Sequence, residues 1–351
     1  MSCNIFLAIF DEHQKNKCMF SFTEFASKLK QLTPERNLNK TRLSLELNDE
    51  AFFRLSKDGI LRNLCINPTI EKYPIFSTDC LKDLYNFIKQ EALNENLLIQ
   101  SIFLIHNSKI RLNDQIFMTK IFENFVSIKK SILIKDHEIF NQLELLFTCV
   151  LKSLKITGKI TNLIDEIVVK NEVFNFKNLE LKFIDCNFKR LNGFAGIHTI
   201  FVNTQPIIRV LTSRNFRNYT EEQKLVIIKL DFMATIVHEA AHIVLRHRLH
   251  DFNKSTPFLV QQTNSDDKIL KNSSECGLEC EKKVFGEAIN WYNSLRSNVL
   301  NIEYCKEYLE SIYQVQNKEF DLTKTKVVLI DENRLNKVAC RYSPDEDYIM
   351  K

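Results

Sequence analysis

Residues 221–250 constrain the fold most strongly, because this stretch contains neither glycine nor proline and reads as one long helix. Thr220 and Gln223 have the spacing of a capping box, which predicts that the helix begins at this point. Apolar side chains then recur at helical intervals: Leu225, Ile228, Phe232, Ile236, Val237, Ala240, Ile243 and Val244. The pattern predicts a helix that is buried in the core of the fold.

The middle of this helix carries two histidines, His238 and His242, with Glu239 directly after the first. Residues four apart lie on one face of a helix, so both imidazoles can bind one metal ion. Glu239 is placed to activate a metal-bound water. The flanks from Thr235 to Leu245 are otherwise uncharged. The pattern predicts one Zn²⁺ ion held by the two histidines, with Glu239 as the catalytic residue. Two buried histidines that bind no metal are the alternative.

A third protein ligand is needed, because catalytic zinc usually takes three protein ligands and a water. A third histidine further along the helix is excluded, because Leu245 and Arg248 occupy the positions that such a ligand set would use. An acidic block downstream contains Glu275, Glu279 and Glu281. Glu275 is the first candidate for the third ligand and Glu281 is the alternative. Glu279, one turn after Glu275, is expected to orient an imidazole from the second shell.

The acidic block also contains Gly277 and Gly286, in a chain with only six glycines. A glycine lets another helix or a ligand approach the backbone closely. Apolar residues at helical intervals follow, as far as about Leu295. The block is therefore expected to open a second helix that packs close to the first, since carboxylates also favour the first turn of a helix.

The residues of these two blocks resemble a known class of enzymes. His238-Glu239-Ala240-Ala241-His242, followed by Glu275 and Glu281 in a Glu-x-Gly-x-x-x-Glu pattern with a trailing Phe285-Gly286, resembles the gluzincin type of zincin metallopeptidase. The sequence is similar to a eukaryotic family with this pairing and, more distantly, to the ImmA/IrrE peptidases. The resemblance covers about residues 175–300. It implies a zinc-dependent hydrolase that cleaves a peptide or protein substrate, with Glu239 as the general base.

The resemblance also implies a small sheet whose edge strand lies over the active-site helix and holds the substrate in extended form. Residues 179–184 alternate in polarity as a strand does, and residues 193–203 supply a glycine-bearing turn and a second β-rich run. A substrate could pair with that run by strand addition, and an ordinary hairpin is the alternative. The expected substrate-binding residues are Gly196, Ile197, His198 and Thr199. Unranked candidates for stabilising an oxyanion are His198, His247, Tyr304 and Tyr342.

Composition and pattern predict an α+β, helix-rich fold, and the resemblance implies a zincin-like catalytic domain in which a small mixed sheet lies over the helix that carries the two histidines. The chain is 44% hydrophobic and has only six glycines and six prolines, which is typical of a helix-rich globular protein. Three regions are expected: a helical N-terminal domain (1–155), the metallopeptidase-like core (156–300) and a C-terminal extension (301–351). Helices are expected near 20–31, 81–95, 115–133, 137–155 and 302–315, and a strand at 326–330.

Charge and cysteine content narrow the partners and the compartment. The net charge of +4 is mild and no motif combines aromatic and basic residues, so no nucleic acid is expected as a partner. Ten cysteines are scattered without a framework, which favours free thiols in a reducing compartment. A signal peptide and a membrane-spanning stretch are not evident, so a cytoplasmic location without a membrane partner is expected. The pattern indicates no particular oligomeric state.

Two other readings of the same residues stay open. His238 and His242 with Cys276 and Cys280 form the ligand set of a closed, structural Cys2His2 zinc site. This reading leaves Glu239 without a role. The other reading is a catalytically inactive zincin-fold binding module, which is favoured by the lack of a motif-anchored residue for the oxyanion.

Overall fold

The computed structural model describes residues 95–96, 99–100, 102–103, 127–132, 138–168, 173–188, 191–249, 275–316, 318–330 and 340–342. The chain divides into two compact units, Met1–Lys130 and Ser131–Lys351. In the first unit, Ile99, Ile102, Phe103 and Ile128 are buried. Lys129–Lys130 form a two-residue strand, β1. The expected helices at 20–31 and 81–95 lie outside the described residues except for residue 95, and the described end of the expected 115–133 helix holds β1 instead.

The described helices of the second unit are α1 Glu138–Lys152, α2 Leu154–Ile167, α3 Thr204–Thr212, α4 Glu221–Leu249, α5 Cys276–Phe285, α6 Trp291–Arg296 and α7 Ile302–Tyr313. The unit contains helices near the expected positions 137–155, 221–250 and 302–315, whereas α2 and α3 were not expected and the helix expected to reach about Leu295 is divided into α5 and α6. Short 3-10 turns lie at Phe176–Asn178, Arg214–Phe216 and Leu322–Lys324. The expected 137–155 helix ends early, because Ser153 caps α2 by accepting the backbone N–H of Ile156.

The boundary expected at residues 155/156 differs from the one observed. Helix α2 runs through that position, and its buried residues Ile156 and Ile160 belong to the same core as helix α4. The division of the chain lies after Lys130, so α1 and α2 belong to the same unit as helix α4. The C-terminal residues 301–351 fall in the same unit, and α7 packs on α1 and α4.

A small mixed sheet completes the unit, with strands β2 Glu180–Asp185, β3 Leu191–Ala195, β4 Thr199–Asn203 and β5 Cys340–Tyr342. Within the described residues of this unit, the strand order is β2-β4-β3-β5. Strand β4 runs parallel to β2, whereas β3 is antiparallel to both β4 and β5. The strand expected at 326–330 contributes a single β-bridge, between Ile289 and Leu329. The α+β, helix-rich fold class is confirmed.

Helix α4 is the central element of the unit, as its pattern predicted. The capping box is present: the Thr220 backbone N–H donates to Oε1 of Gln223 at 3.0 Å, and the Gln223 N–H donates to Oγ1 of Thr220 at 3.2 Å. Every residue from Leu230 to Arg246 is buried. Helices α1, α2, α5 and α7 and the sheet all pack against it. The two histidines and Glu239 therefore lie in the interior of the molecule.

Candidate metal centre

Three side chains converge in the core where α5 begins beside α4. His238, His242 and Glu275 each offer one ligand atom, and these atoms lie within 4.8 Å of one another. Nε2 of His242 is 2.8 Å from Oε1 of Glu275, and Nε2 of His238 is 3.6 Å from Oε2 of the same carboxylate. His238 and Glu275 are each 5% exposed and His242 is fully buried. This buried group could bind a metal ion.

The fit of a cation to this group can be tested on the two imidazoles. Neither Nε2 atom has a hydrogen-bond partner, although a carboxylate lies beside both. A buried polar atom without a partner is costly, and a cation would satisfy both nitrogens and the carboxylate together. Ligand atoms of a tetrahedral zinc site lie about 3.4 Å apart, so the longest separations would have to shorten by at most roughly 1.5 Å and the 2.8 Å contact between His242 and Glu275 would lengthen by roughly 0.6 Å. The donor set fits a divalent metal.

The start of α5 fixes the position of Glu275. Glu275 is the N-cap residue, with extended backbone angles (φ −63°, ψ 119°), and its side chain folds back over the first turn. The backbone N–H groups of Gly277 and Leu278 donate to Oε1 and Oε2 at 3.0 and 2.6 Å. Each carboxylate oxygen has a second lone pair, which stays available for a metal. The cap therefore orients the carboxylate towards the imidazoles.

The residue that orients His238 is Glu281, not Glu279. Oε1 of Glu281 accepts a hydrogen bond from Nδ1 of His238 at 2.8 Å, and Glu281 is 1% exposed. Glu279 instead pairs with Nζ of Lys282 at 2.8 Å. The difference arises because Glu275 precedes the helix, so the face that meets α4 is set by residues 277 and 281, which are four apart. The second-shell role expected for Glu279 is corrected to Glu281.

Changing Glu281 to glutamine is expected to weaken zinc binding by about 10- to 100-fold, the usual cost of losing a second-shell partner. Glutamine can still accept the Nδ1–H bond, but it no longer supplies the charge that strengthens the imidazole as a ligand. The matched control is Glu279→Gln, which removes the same charge two residues earlier in the same helix. Competition against a chromophoric chelator measures both affinities. Equal affinities for the two variants would contradict the orienting role of Glu281.

Gly277 lets the two helices approach at the metal-binding group. A Cβ atom built on Gly277 would lie 2.5 Å from Cδ2 and 2.6 Å from Cγ and Nε2 of His238. These separations are shorter than any van der Waals contact between carbon atoms. The His238 ring therefore lies flat against the backbone of α5. A residue without a Cβ atom is therefore needed at position 277, because the His238 imidazole lies so close to the backbone.

Cys276 contacts the outer side of the second imidazole. Its Sγ atom is 3.4 Å from Nδ1 of His242, the ring nitrogen opposite to the one that faces Glu275. Among the described residues, the group able to hold a metal contains no cysteine. Cys280 is also buried, and burial raises the pKa of its thiol well above its usual range. Cys276 is therefore placed to orient the imidazole of His242.

The charges of the group are strongly coupled. Burial lowers the pKa of His238, but the carboxylates of Glu275, Glu281 and Glu239 outweigh it and raise that pKa to about 9. Burial dominates at His242 and lowers its pKa to about 4, despite the opposing charge of Glu275. Burial also disfavours the charged form of Glu275, yet the two imidazoles and the backbone N–H of Leu278 lower its pKa to about 2. A cation would replace the proton held on His238.

The residues expected to bind substrate lie in the turn between β3 and β4. The Gly196 N–H donates to the Thr199 carbonyl at 2.7 Å, and the His198 carbonyl accepts the N–H of Glu180 at 2.8 Å. Strand β4, which begins at Thr199, is paired with β2 on one side and β3 on the other. The backbone of β4 is therefore already paired within the sheet on both sides, which leaves no free edge for strand addition on this strand. Substrate binding by residues 196–199 stays a prediction.

The four candidates for stabilising an oxyanion lie in different parts of the fold. Tyr304 lies beside the ring of Phe320, and its hydroxyl accepts the N–H of Asp321 at 2.5 Å. Burial lowers the pKa of His198, and the nearby His247 adds to this effect. Tyr342 lies in β5, opposite Leu191 of β3. Neither His198 nor His247 belongs to the His238–His242–Glu275 group.

Sequence reasoning passed over a buried carboxylate, Asp231, on the same face of α4. Its Oδ2 accepts hydrogen bonds from Nδ2 of Asn192 at 3.2 Å and from the Tyr292 hydroxyl at 3.0 Å. It borders a small cavity that Thr235 also lines. Asp231 precedes His238 by seven residues, or two helical turns. The sequence signal for this cluster is a single acidic residue, Asp231, within an apolar stretch of the helix.

The protein is thus a helix-rich α+β molecule whose core holds a His-His-Glu group able to bind a metal. No family model, curated protein or solved structure matches this chain. Among the helices in the described part of the chain, none combines the length and apolar character that crossing a bilayer requires.

Proposed function

We propose that this protein is a zinc-dependent peptidase of the gluzincin type. The observation that carries the proposal is the convergence of His238, His242 and Glu275 at one buried point, on the helix that also carries Glu239. Two imidazole nitrogens and one carboxylate oxygen are the ligand set of several catalytic zinc sites, in which the fourth position stays open. A closed structural site would need a fourth protein ligand.

The proposed roles follow from the position of each side chain. Zinc bound by the three ligands supplies a Lewis acid that lowers the pKa of water from near 16 to roughly 7 and polarises a carbonyl. Glu239 follows His238 directly on α4 and is fully buried. It accepts the proton of the attacking water at its carboxylate and passes it to the leaving amine. Glu281 and Cys276 hold the imidazoles in orientation.

The burial of the ligand group favours one competing function, an inactive binding module with the same metal. Each ligand is 5% exposed or less, and a peptide bond must reach the metal to be cleaved. A module of this kind would bind zinc and cleave nothing. The closed Cys2His2 site receives less support, because Cys276 faces Nδ1 of His242 whereas Glu275 faces Nε2.

Metal content of single variants tests the ligand set. We expect His238→Ala and Glu275→Ala to lose stoichiometric zinc, because each removes one of three ligands, whereas Cys276→Ala and Cys280→Ala keep it. Cobalt substitution of the wild-type protein adds a second readout: a sulfur-to-cobalt charge-transfer band is expected to be absent. Loss of zinc in both cysteine variants, with zinc retained in Glu275→Ala, would show the closed site instead.

Turnover separates the peptidase from the binding module. Zinc-loaded protein is expected to hydrolyse unstructured β-casein and to be inhibited by acetohydroxamate, which needs an open metal position. His238→Ala serves as the inactive control. Zinc-loaded protein that binds acetohydroxamate but leaves casein intact would establish the binding module.

A further inference from the structure

Strand β3 lies along the face of α4 that carries the proposed catalytic residues. A Cβ atom on Gly193 would lie 2.8 Å from Cγ2 of Thr235, and Nη1 of Arg246 donates to the Ala195 carbonyl at 3.1 Å. Thr235 and Arg246 are about three helical turns apart, or roughly 16 Å, whereas Gly193 and Ala195 are roughly 7 Å apart, so the long side chain of Arg246 reaches back along α4 to the strand.

Glu239 and His242 lie between these two contacts. Positions 235, 239, 242 and 246 recur at helical spacing and so share one face of α4. Of the strands in the described sheet, β3 therefore runs beside the stripe that carries the proposed base and one proposed ligand. An extended peptide paired with the other edge of β3 would lie beside the same stripe.

That edge of β3 is occupied by another part of the same chain. Strand β5, Cys340–Tyr342, pairs antiparallel with β3, with Leu191 opposite Tyr342, Gly193 opposite Arg341 and Phe194 opposite Cys340. The register shifts between Leu191 and Gly193, so the ladder is irregular. The strand also lies against α4. In the described sheet of the second unit, β5 ends the strand order.

We propose that the β3 edge is the binding surface for an extended peptide and that β5 is its intramolecular competitor. The identification of that peptide as substrate rests on the proposed function. Strand addition uses backbone hydrogen bonds, so a peptide of varied sequence can replace β5 in the same antiparallel sense. The ladder is only three residues long and has a shift in it, so its pairing is weak enough to exchange.

Two proline variants of the full chain test the exchange. Arg341→Pro and Cys340→Pro each remove a backbone N–H and block strand pairing, whereas the matched control Arg341→Ala keeps the backbone intact. Hydrogen–deuterium exchange of residues 191–195 reports whether β5 has left. The binding probe is a fluorescein-labelled peptide of residues 338–343 with serine at the position of Cys340. Fluorescence anisotropy measures its affinity, and casein hydrolysis is followed in parallel.

The proline variants are expected to lose protection from hydrogen–deuterium exchange in β3. They should also bind the probe peptide at least about 10-fold more tightly than the wild-type protein or Arg341→Ala, because an internal competitor at high effective concentration has been removed. Their kcat/KM should rise in parallel. Unchanged protection in both proline variants would overturn the proposal, and so would lost protection without tighter peptide binding. Tighter peptide binding in zinc-loaded variants that never cleave casein would support the edge as a peptide surface and contradict the proposed function alone.

Discussion

Replacing Glu239 with glutamine is expected to lower kcat/KM for peptide hydrolysis by about 10²- to 10⁴-fold, the usual contribution of a general base. Glutamine has nearly the shape of glutamate but cannot accept the proton of the attacking water. Glu239 is fully buried, so the substitution also removes a buried charge without leaving a cavity. Zinc content and the free energy of unfolding should therefore stay close to those of the wild-type protein. Steady-state kinetics on protein of measured zinc content checks the prediction.

The control for Glu239→Gln is Glu222→Gln, in the first turn of the same helix. The side chain of Glu222 is 68% exposed and pairs with Lys306, an exposed contact worth about 1 kcal/mol or less. This control should hydrolyse peptides at the wild-type rate. Wild-type turnover by zinc-loaded Glu239→Gln would exclude Glu239 as the base. Loss of zinc in that variant would show that Glu239 supports the ligands instead.

Local periodicity was enough to predict the helix and the pair of histidines. A run free of glycine and proline with apolar residues at helical spacing has few other folded states, and the positions of His238 and His242 on one face follow from helix geometry. The capping box at Thr220 could also be predicted from local sequence, because its two hydrogen bonds join residues three apart. These features depend on neighbours in sequence alone.

The roles of the acidic residues depended on where α5 begins. The sequence reasoning treated Glu275 as part of a helix, which placed Glu279 one turn further along the same face. In the structure, the helix begins at Cys276 and Glu275 caps it. Gly277 and Glu281 therefore form the face that meets His238. A shift of one residue in a helix start, which a pattern cannot resolve, takes Glu275 out of the helix and removes the one-turn relation expected between Glu275 and Glu279.

The order of the strands could not be read from the sequence for a different reason. Alternating polarity marks a strand but says nothing about its partners, which are chosen by long-range packing. Strand β4 became an interior strand because β2 and β3 both pair with it. Strand β5 pairs with β3 across more than a hundred residues of chain. The run at 193–203 that was expected to pair with a substrate therefore covers the end of β3 and the whole of the interior strand β4.

Replacing Gly277 with alanine is expected to weaken zinc binding by roughly 10²-fold, at least as much as loss of an orienting partner does. The new Cβ would lie 2.5 to 2.6 Å from three atoms of the His238 ring, so the ring must move. Glu281 holds Nδ1 of that ring from the other end, at 2.8 Å. Movement away from α5 therefore breaks that hydrogen bond or draws Nε2 away from Glu275. Overpacking of this kind costs about 1–3 kcal/mol of folding free energy.

Gly158 provides the matched control, because it also lies within a helix, α2, and a Cβ there would meet no atom within 4 Å. Gly158→Ala is expected to raise the free energy of unfolding by about 0.5–1 kcal/mol, the usual gain when alanine replaces glycine inside a helix. Its zinc affinity should equal that of the wild-type protein. Denaturant unfolding of the metal-free proteins and chelator competition measure the two effects separately. If Gly277→Ala bound zinc as tightly as Gly158→Ala, the close contact with His238 would have no bearing on the metal. A Gly277→Ala protein that folds but binds zinc weakly would show that the imidazole, and not the helix, requires the glycine.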